Sequence, residues 1–276
     1  MISRVSDCII IFIHILSAGA FHNKYCQLQC FENLTNTVCT RGDQKCGPDP
    51  VCGTDFRVIK LSNDDRQYIL DIHNYLRNKV ALGHEKRGEQ PSAANMNAMS
   101  YDRELEFIAQ CWANACKGNP LVHDVCRRSH KFEYVGQNLG SVSSTSPNID
   151  LVKSLKELIL GWYDEVADYN STWIDDTRPR EKEIGHYTQL IWASTTTIGC
   201  AVSYYSTVID EENWYVLLLV CDYGPGGNYL GSPVYRLGKP CTECPKGRAL
   251  KNKVYQGLCG VDIRVNSSDL YEDAVF

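Results

Sequence analysis

Fourteen cysteines in 276 residues constrain this chain more than any other feature. Thiols at that density point to an oxidising compartment, where disulfides staple segments that cannot build a core of their own. The first segment agrees. Arg4 gives a basic start, Ile9 to Leu16 a short apolar run interrupted by His14, and Ala18-Gly19-Ala20 a small-residue cleavage site. Asp7 is unusual in such a region. Residues 1–20 therefore read as a signal peptide, too short to span a bilayer, and no longer apolar run follows it. The expected product is soluble, secreted and extracellular. Its cleavage would take Cys8 and leave thirteen of the fourteen cysteines, an odd number that leaves at least one outside intrachain pairing. Three sequons, at Asn33, Asn170 and Asn266, suit the same route as glycosylation sites. The net charge of −5, with no block of Lys or Arg, excludes a nucleic-acid footprint.

Residues 21–60 hold Cys26, Cys30, Cys39, Cys46 and Cys52 with few apolar runs, and read as an irregular, stapled arm. Regular structure begins at Ser62, which caps a helix with Asp65 three residues on. Ile69, Ile72, Leu76 and Val80 form one helical stripe that Gly83 ends. A second helix is expected over 101–116, with Leu105, Ile108, Ala109, Trp112 and Cys116 on one face. At about 100° per residue, Cys111 lies about 120° from that stripe and points to a flank. A third helix over 150–168 carries Leu151, Leu155, Leu158, Ile159, Trp162 and Val166. Strand signals follow at Ile198–Tyr205 and at Trp214–Cys221, the latter apolar enough to be covered on both faces. The pattern predicts an α+β chain folded as a three-layer α/β/α sandwich over 61–236. A short Cys-containing tail fills 237–276, with Cys241, Cys244, Cys259 and an acidic, disordered end.

Four stretches carry the polar residues. His73-Asn74-Tyr75-Leu76-Arg77 lies on the first helix and Gly136-Gln137-Asn138-Leu139 precedes the third. Gly185-His186-Tyr187-Thr188-Gln189-Leu190-Ile191-Trp192 sets a histidine beside an apolar anchor, with a glycine of the kind a tight approach or positive φ requires. Leu218–Tyr229 closes the sandwich through Cys221-Asp222-Tyr223-Gly224-Pro225-Gly226-Gly227. A histidine in such surroundings is equally the mark of a hydrogen-bonded structural position, so no single stretch settles a function.

In this order and spacing the four stretches resemble the CAP superfamily: cysteine-rich secretory proteins, antigen 5 and pathogenesis-related 1 proteins. The resemblance covers about Cys26 to Tyr235. The second signature departs at Asp222, where the family usually has Asn, Arg, His, Gln or Ser. The Cys26-x3-Cys30…Cys39 arm, Trp112-Ala113-Asn114-Ala115-Cys116 and His123-Asp124-Val125-Cys126 look like arthropod antigen 5, the venom and salivary allergens. The tail resembles that of arachnid members.

The resemblance implies a central cleft of two histidines, His123 and His186, and two acids. The second acid matches Glu165. The first falls on Gln137, which can orient a histidine but cannot act as a charged ligand. The implied site holds Zn²⁺ or a similar divalent ion on the two imidazoles, with no cofactor required and no catalytic residue. His73 is structural by resemblance, bonded with Asn74 and Arg77. Implied disulfides are Cys26–Cys39, Cys30–Cys126, Cys200–Cys221, Cys244–Cys259, and Cys116 with Cys46 or Cys52; Cys111 and Cys241 are left unallotted. The implied action is non-enzymatic binding of a host component. One candidate partner is an integrin, read through Arg41-Gly42-Asp43 in a Cys-flanked, exposed loop. The other is a small lipid in a groove. The alternatives are a metal-dependent hydrolase using His123, His186 and Glu165, and an ion-channel toxin, for which the tail is short of cysteines.

Overall fold

The computed structural model describes residues 24–42, 45–176, 178, 181–249 and 252–265. The signal-peptide reading, Asp43 of the Arg-Gly-Asp stretch, Asn266 and the acidic end lie outside the described residues.

A sheet of five strands forms the middle layer. Its strands are β1 (Arg57–Ile59), β2 (Ser100–Tyr101), β3 (Gly136–Ser144), β4 (Thr197–Ile209) and β5 (Glu212–Gly224). The order is β1-β4-β5-β3, with β2 added parallel to β4 and the other pairs antiparallel. Period-two alternation sends successive β5 side chains to opposite faces. Leu217, Leu219, Cys221 and Tyr223 meet one apolar cluster; Val216, Leu218 and Val220 meet another. The first cluster is built by α1 (Asn63–Ala81), α3 (Leu151–Asp164) and the short α4 (Gly185–Leu190). The second is built by α2 (Arg103–Ala113). The near-continuous apolar run of β5 follows from this double coverage, and the expected α/β/α sandwich is present.

Each helix start has a side-chain reason. Ser62 Oγ accepts from Asp65 N at 3.1 Å while Asp65 accepts from Ser62 N at 2.8 Å, the reciprocal cap read from the sequence. Asp102 accepts from Glu104 N and Leu105 N to start α2, and Asp150 caps α3 through Lys153 N. Two helices end earlier than expected. α2 stops at Ala113 because Asn114 turns to bond Cys46 O and Ser203 Oγ, and Cys116 takes a positive φ of 55° that no helix continues. α3 gives way at Glu165 to a 3₁₀ turn over Glu165–Ala167, where the Glu165 carboxylate is held by α4. β3 is a strand the pattern did not reveal, since its sequence, Gly-Gln-Asn-Leu-Gly-Ser-Val-Ser-Ser, lacks an apolar alternation.

Disulfides join Cys26–Cys39, Cys30–Cys126, Cys46–Cys111, Cys52–Cys116, Cys200–Cys221 and Cys244–Cys259. Cys116 thus takes Cys52, and Cys46 takes Cys111. The off-stripe angle of Cys111 has a structural meaning: it enters a separate cluster with Tyr25, Val38, Cys46, Phe107 and Ile108, where the arm is sewn onto α2. Cys241 takes part in none of these six bonds, and its Sγ lies near Gln256 O at 3.6 Å. The tail is not a separate appendage. Tyr255 and Leu258 join the main cluster, and Cys259 exchanges backbone bonds with Met96 and Ala98.

Candidate cleft at the edge of the sheet

His73 and Arg77 of the first stretch are fully buried and do not reach the cleft. The resemblance implied bonds from His73 to Asn74 and Arg77, and the ring makes neither. Its Nδ1 faces Ile69 O at 2.8 Å and its Nε2 faces the Tyr223 hydroxyl at 3.0 Å. A carbonyl only accepts, so Nδ1 carries the hydrogen and Tyr223 donates to Nε2. Burial pushes the ring's pKa down to about 4. Arg77 donates to the carbonyls of Asn97, Leu190, Trp192 and Thr195, clamping the turn after α4. The Tyr223 hydroxyl also accepts from Asn138 Nδ2 at 3.2 Å, and that amide donates to His186 O at 3.1 Å. A chain of bonds therefore runs from His73 through Tyr223 and Asn138 to the backbone that presents His186.

β3 is an edge strand, and the cleft opens along it. His123 comes from the segment covering the α2 face; His186, on α4, comes from the opposite layer. Both line one cleft of about 540 Å³ together with Gln137, Asn138, Leu121, Trp173 and Leu230. His186 Nδ1 bonds Glu165 Oε1 at 2.6 Å, and Glu165 Oε2 accepts from Tyr187 N at 2.9 Å. Trp162 stacks near the His186 ring, with centroids 6.1 Å apart. His123 Nδ1 bonds Gln137 Oε1 at 3.0 Å. Enclosure of the His123 ring lowers its pKa, which the Gln137 bond opposes and the charges of Arg127 and His186 reinforce. Gly185 at the start of α4 needs neither a positive φ nor a close approach: an added Cβ would come no nearer than 4.0 Å to Asn228 Nδ2.

Both imidazoles are thus bonded at Nδ1, which leaves Nε2 as the ring nitrogen open to a ligand. Two imidazoles, each oriented at Nδ1 by an outer hydrogen-bond acceptor, are ligands of the type a divalent zinc-type ion takes. His123, Gln137 and His186 line the cleft, and Glu165 stands behind His186. Asp222 is the participant that pattern reading missed. It lies behind Gln137, fully buried, and accepts from Gln137 Nε2 at 2.9 Å. Its departure from the family signature was the available signal.

Arg41 of the Arg-Gly-Asp stretch is not exposed as expected. Arg41 is buried, and its guanidinium donates to Asp49 Oδ1 at 2.7 Å and to Gly47 O at 2.6 Å. Asn33 and Asn170 are exposed.

The fold and cleft define a CAP domain, and the profile of the cysteine-rich secretory protein family (CAP) matches residues 70–223. The chain belongs to this family. Similar proteins include venom allergen 3 of Solenopsis invicta, 37% identical over 230 residues that span 80% of this chain and 93% of that one. Venom allergen 5.01 of Dolichovespula maculata is 39% identical over 231 residues, 82% and 94% of the two chains. Among solved structures, NaASP2 with Zn²⁺ aligns with TM-score 0.55 and 28% identity over 78% of this chain and 100% of that chain. BmVAL-1 aligns with TM-score 0.59 and 26% identity over 74% and 97%. Among the described residues no helix is long and apolar enough to cross a membrane.

Proposed function

We propose that this protein is a secreted, non-enzymatic venom or salivary binding protein that holds a divalent ion between His123 Nε2 and His186 Nε2. On this reading the ion helps to seat a small host lipid in the cleft. The observation that carries the proposal is that both imidazoles line one cleft and each is bonded through Nδ1, which leaves Nε2 for a ligand. Leu121, Trp173 and Leu230 give that cleft apolar walls, suited to an amphiphile whose carboxylate reaches the ion. Zinc, when bound, would supply a Lewis-acidic charge that fixes such a head group.

A hydrolase is less well supported. Both oxygens of Glu165 are occupied, by His186 and by Tyr187 N, so the carboxylate serves to orient His186. The integrin reading requires the Arg41–Asp49 ion pair to open first. The insect relatives and the tail spacing Cys241-x2-Cys244 support a venom or salivary source, arachnid by the tail's resemblance.

The test is calorimetric. Zinc should bind the protein and raise its melting temperature, and His186→Ala should remove both effects. A carboxylated lipid such as a fatty acid should bind more tightly with zinc present. No zinc binding by the unaltered protein would refute the metal site; lipid affinity indifferent to zinc would refute the seating role.

A further inference from the structure

Gln137 and Asp222 are direct cross-strand partners in the β3–β5 register. They are also the two positions at which this chain leaves the pattern described above. Asp222 is fully buried. Its Oδ1 accepts the Gln137 amide, while its Oδ2 is buried with no hydrogen-bond partner. At the other end of the amide, Gln137 Oε1 accepts from Asp124 N at 3.1 Å and faces His123 Nδ1 at 3.0 Å.

These contacts fix the amide from both ends. A backbone N–H only donates, so Asp124 requires the amide oxygen on its side. Asp222 Oδ1 accepts either as a carboxylate oxygen or as the carbonyl oxygen of the neutral acid, so it draws the NH₂ to the other side. The amide oxygen that results can only accept, so the His123 nitrogen facing it carries the hydrogen. Nε2 is left with the lone pair, on a ring that lines the cleft. A glutamate at 137 would set two buried carboxyls at hydrogen-bond distance, of which only one could ionise.

We propose that Asp222 is a positioning residue: acting through Gln137, it holds His123 in the Nδ1–H tautomer and so sets Nε2 as the ligand atom. The pair carries a single acid, placed one strand behind the cleft. The inference rests on the metal reading only for the consequence of that tautomer. The tautomer itself is a property of the metal-free protein.

The experiment is long-range ¹H–¹⁵N spectroscopy of the imidazoles in the metal-free protein, paired with zinc titration. His123 should show the Nδ1–H pattern. Asp222→Asn keeps an acceptor and should keep the pattern. Asp222→Val, similar in size and without an acceptor, should give a tautomer mixture and weaken zinc binding about 10- to 100-fold, the usual cost of losing an outer-shell partner. An Nε2–H pattern in the unaltered protein, or an unchanged pattern in folded Asp222→Val, would overturn the proposal. If Asp222→Val does not fold, the exchange decides. Gln137→Glu alone should lower the melting temperature, and Gln137→Glu with Asp222→Asn should restore it; no recovery overturns the pairing. Absence of zinc binding alongside the Nδ1–H pattern would refute the metal site while supporting the role of Asp222.

Discussion

Acidification should destabilise this protein through His73, by an amount that the structure sets. In the fold the ring is neutral, with Nδ1–H given to Ile69 O and Nε2 taking the Tyr223 hydroxyl proton. Protonation would force a second N–H against a hydroxyl that already accepts from Asn138. Burial accordingly holds the native pKa down at about 4 against an ordinary 6.5. Below pH 6.5 the unfolded chain binds a proton that the native ring refuses. Stability therefore falls as pH drops from 6.5 to 4, and the loss is complete below about 4. The difference between 6.5 and about 4 makes the loss about 3 kcal/mol. Other groups titrate in the same window, so the measurement is a difference. Urea unfolding of the disulfide-intact protein is followed at pH 7, 6, 5 and 4, beside His73→Gln, whose amide can donate and accept but does not titrate. The unaltered protein should lose about 3 kcal/mol more than the variant across that range. Parallel pH profiles would refute the assignment of His73 as a buried neutral ring.

Three further outcomes follow from the contacts described. Arg77→Met should cost about 3–5 kcal/mol in unfolding free energy, because the carbonyls it binds at Asn97, Leu190 and Thr195 lose their donor; a loss under about 1 kcal/mol would contradict the clamp. Burial pushes Asp222 up to about 8, so its contribution to stability is full at low pH and declines as pH rises through that value. Asp222→Asn should therefore be increasingly more stable than the unaltered protein from about pH 4 to 8, checked by thermal melts; a constant difference would refute the buried, desolvated carboxyl. Replacing both Cys46 and Cys111 by Ser should cost about 2–5 kcal/mol and raise amide exchange in residues 24–56 ahead of the sandwich, and uniform exchange would show that the arm is held by other contacts.

Much of the architecture could be read from periodicity alone. The stripe of Ile69, Leu76 and Val80, the Ser62 cap and the apolar run of β5 each reflect local rules of helix and strand. The cysteine count already implied a stapled arm and an odd thiol. The family resemblance carried by the motif order then implied a cleft of His123, Gln137, Glu165 and His186. Residues that act through long-range bonds were not legible. β3 is polar because its Gln137 and Asn138 serve the site rather than a core, so no alternation marked it. The Cys46–Cys111 and Cys52–Cys116 choice depended on which side of α2 the arm crosses.

The deepest division is between residue type and direction. The sequence by itself determined the oxidising chemistry, the helices, the double-covered strand and the set of polar residues near the cleft. Those follow from side-chain size, polarity and spacing, which are local properties. Only the tertiary structure decided where the donors point. Arg41 turns inward to Asp49 because an ion pair and a carbonyl lie within its reach. Gln137 faces its oxygen to His123 because Asp222 and Asp124 N occupy fixed places across and beside the strand. A hydrogen bond depends on the relative placement of two groups, and for residues 137 and 222 that placement exists only once the sheet has formed.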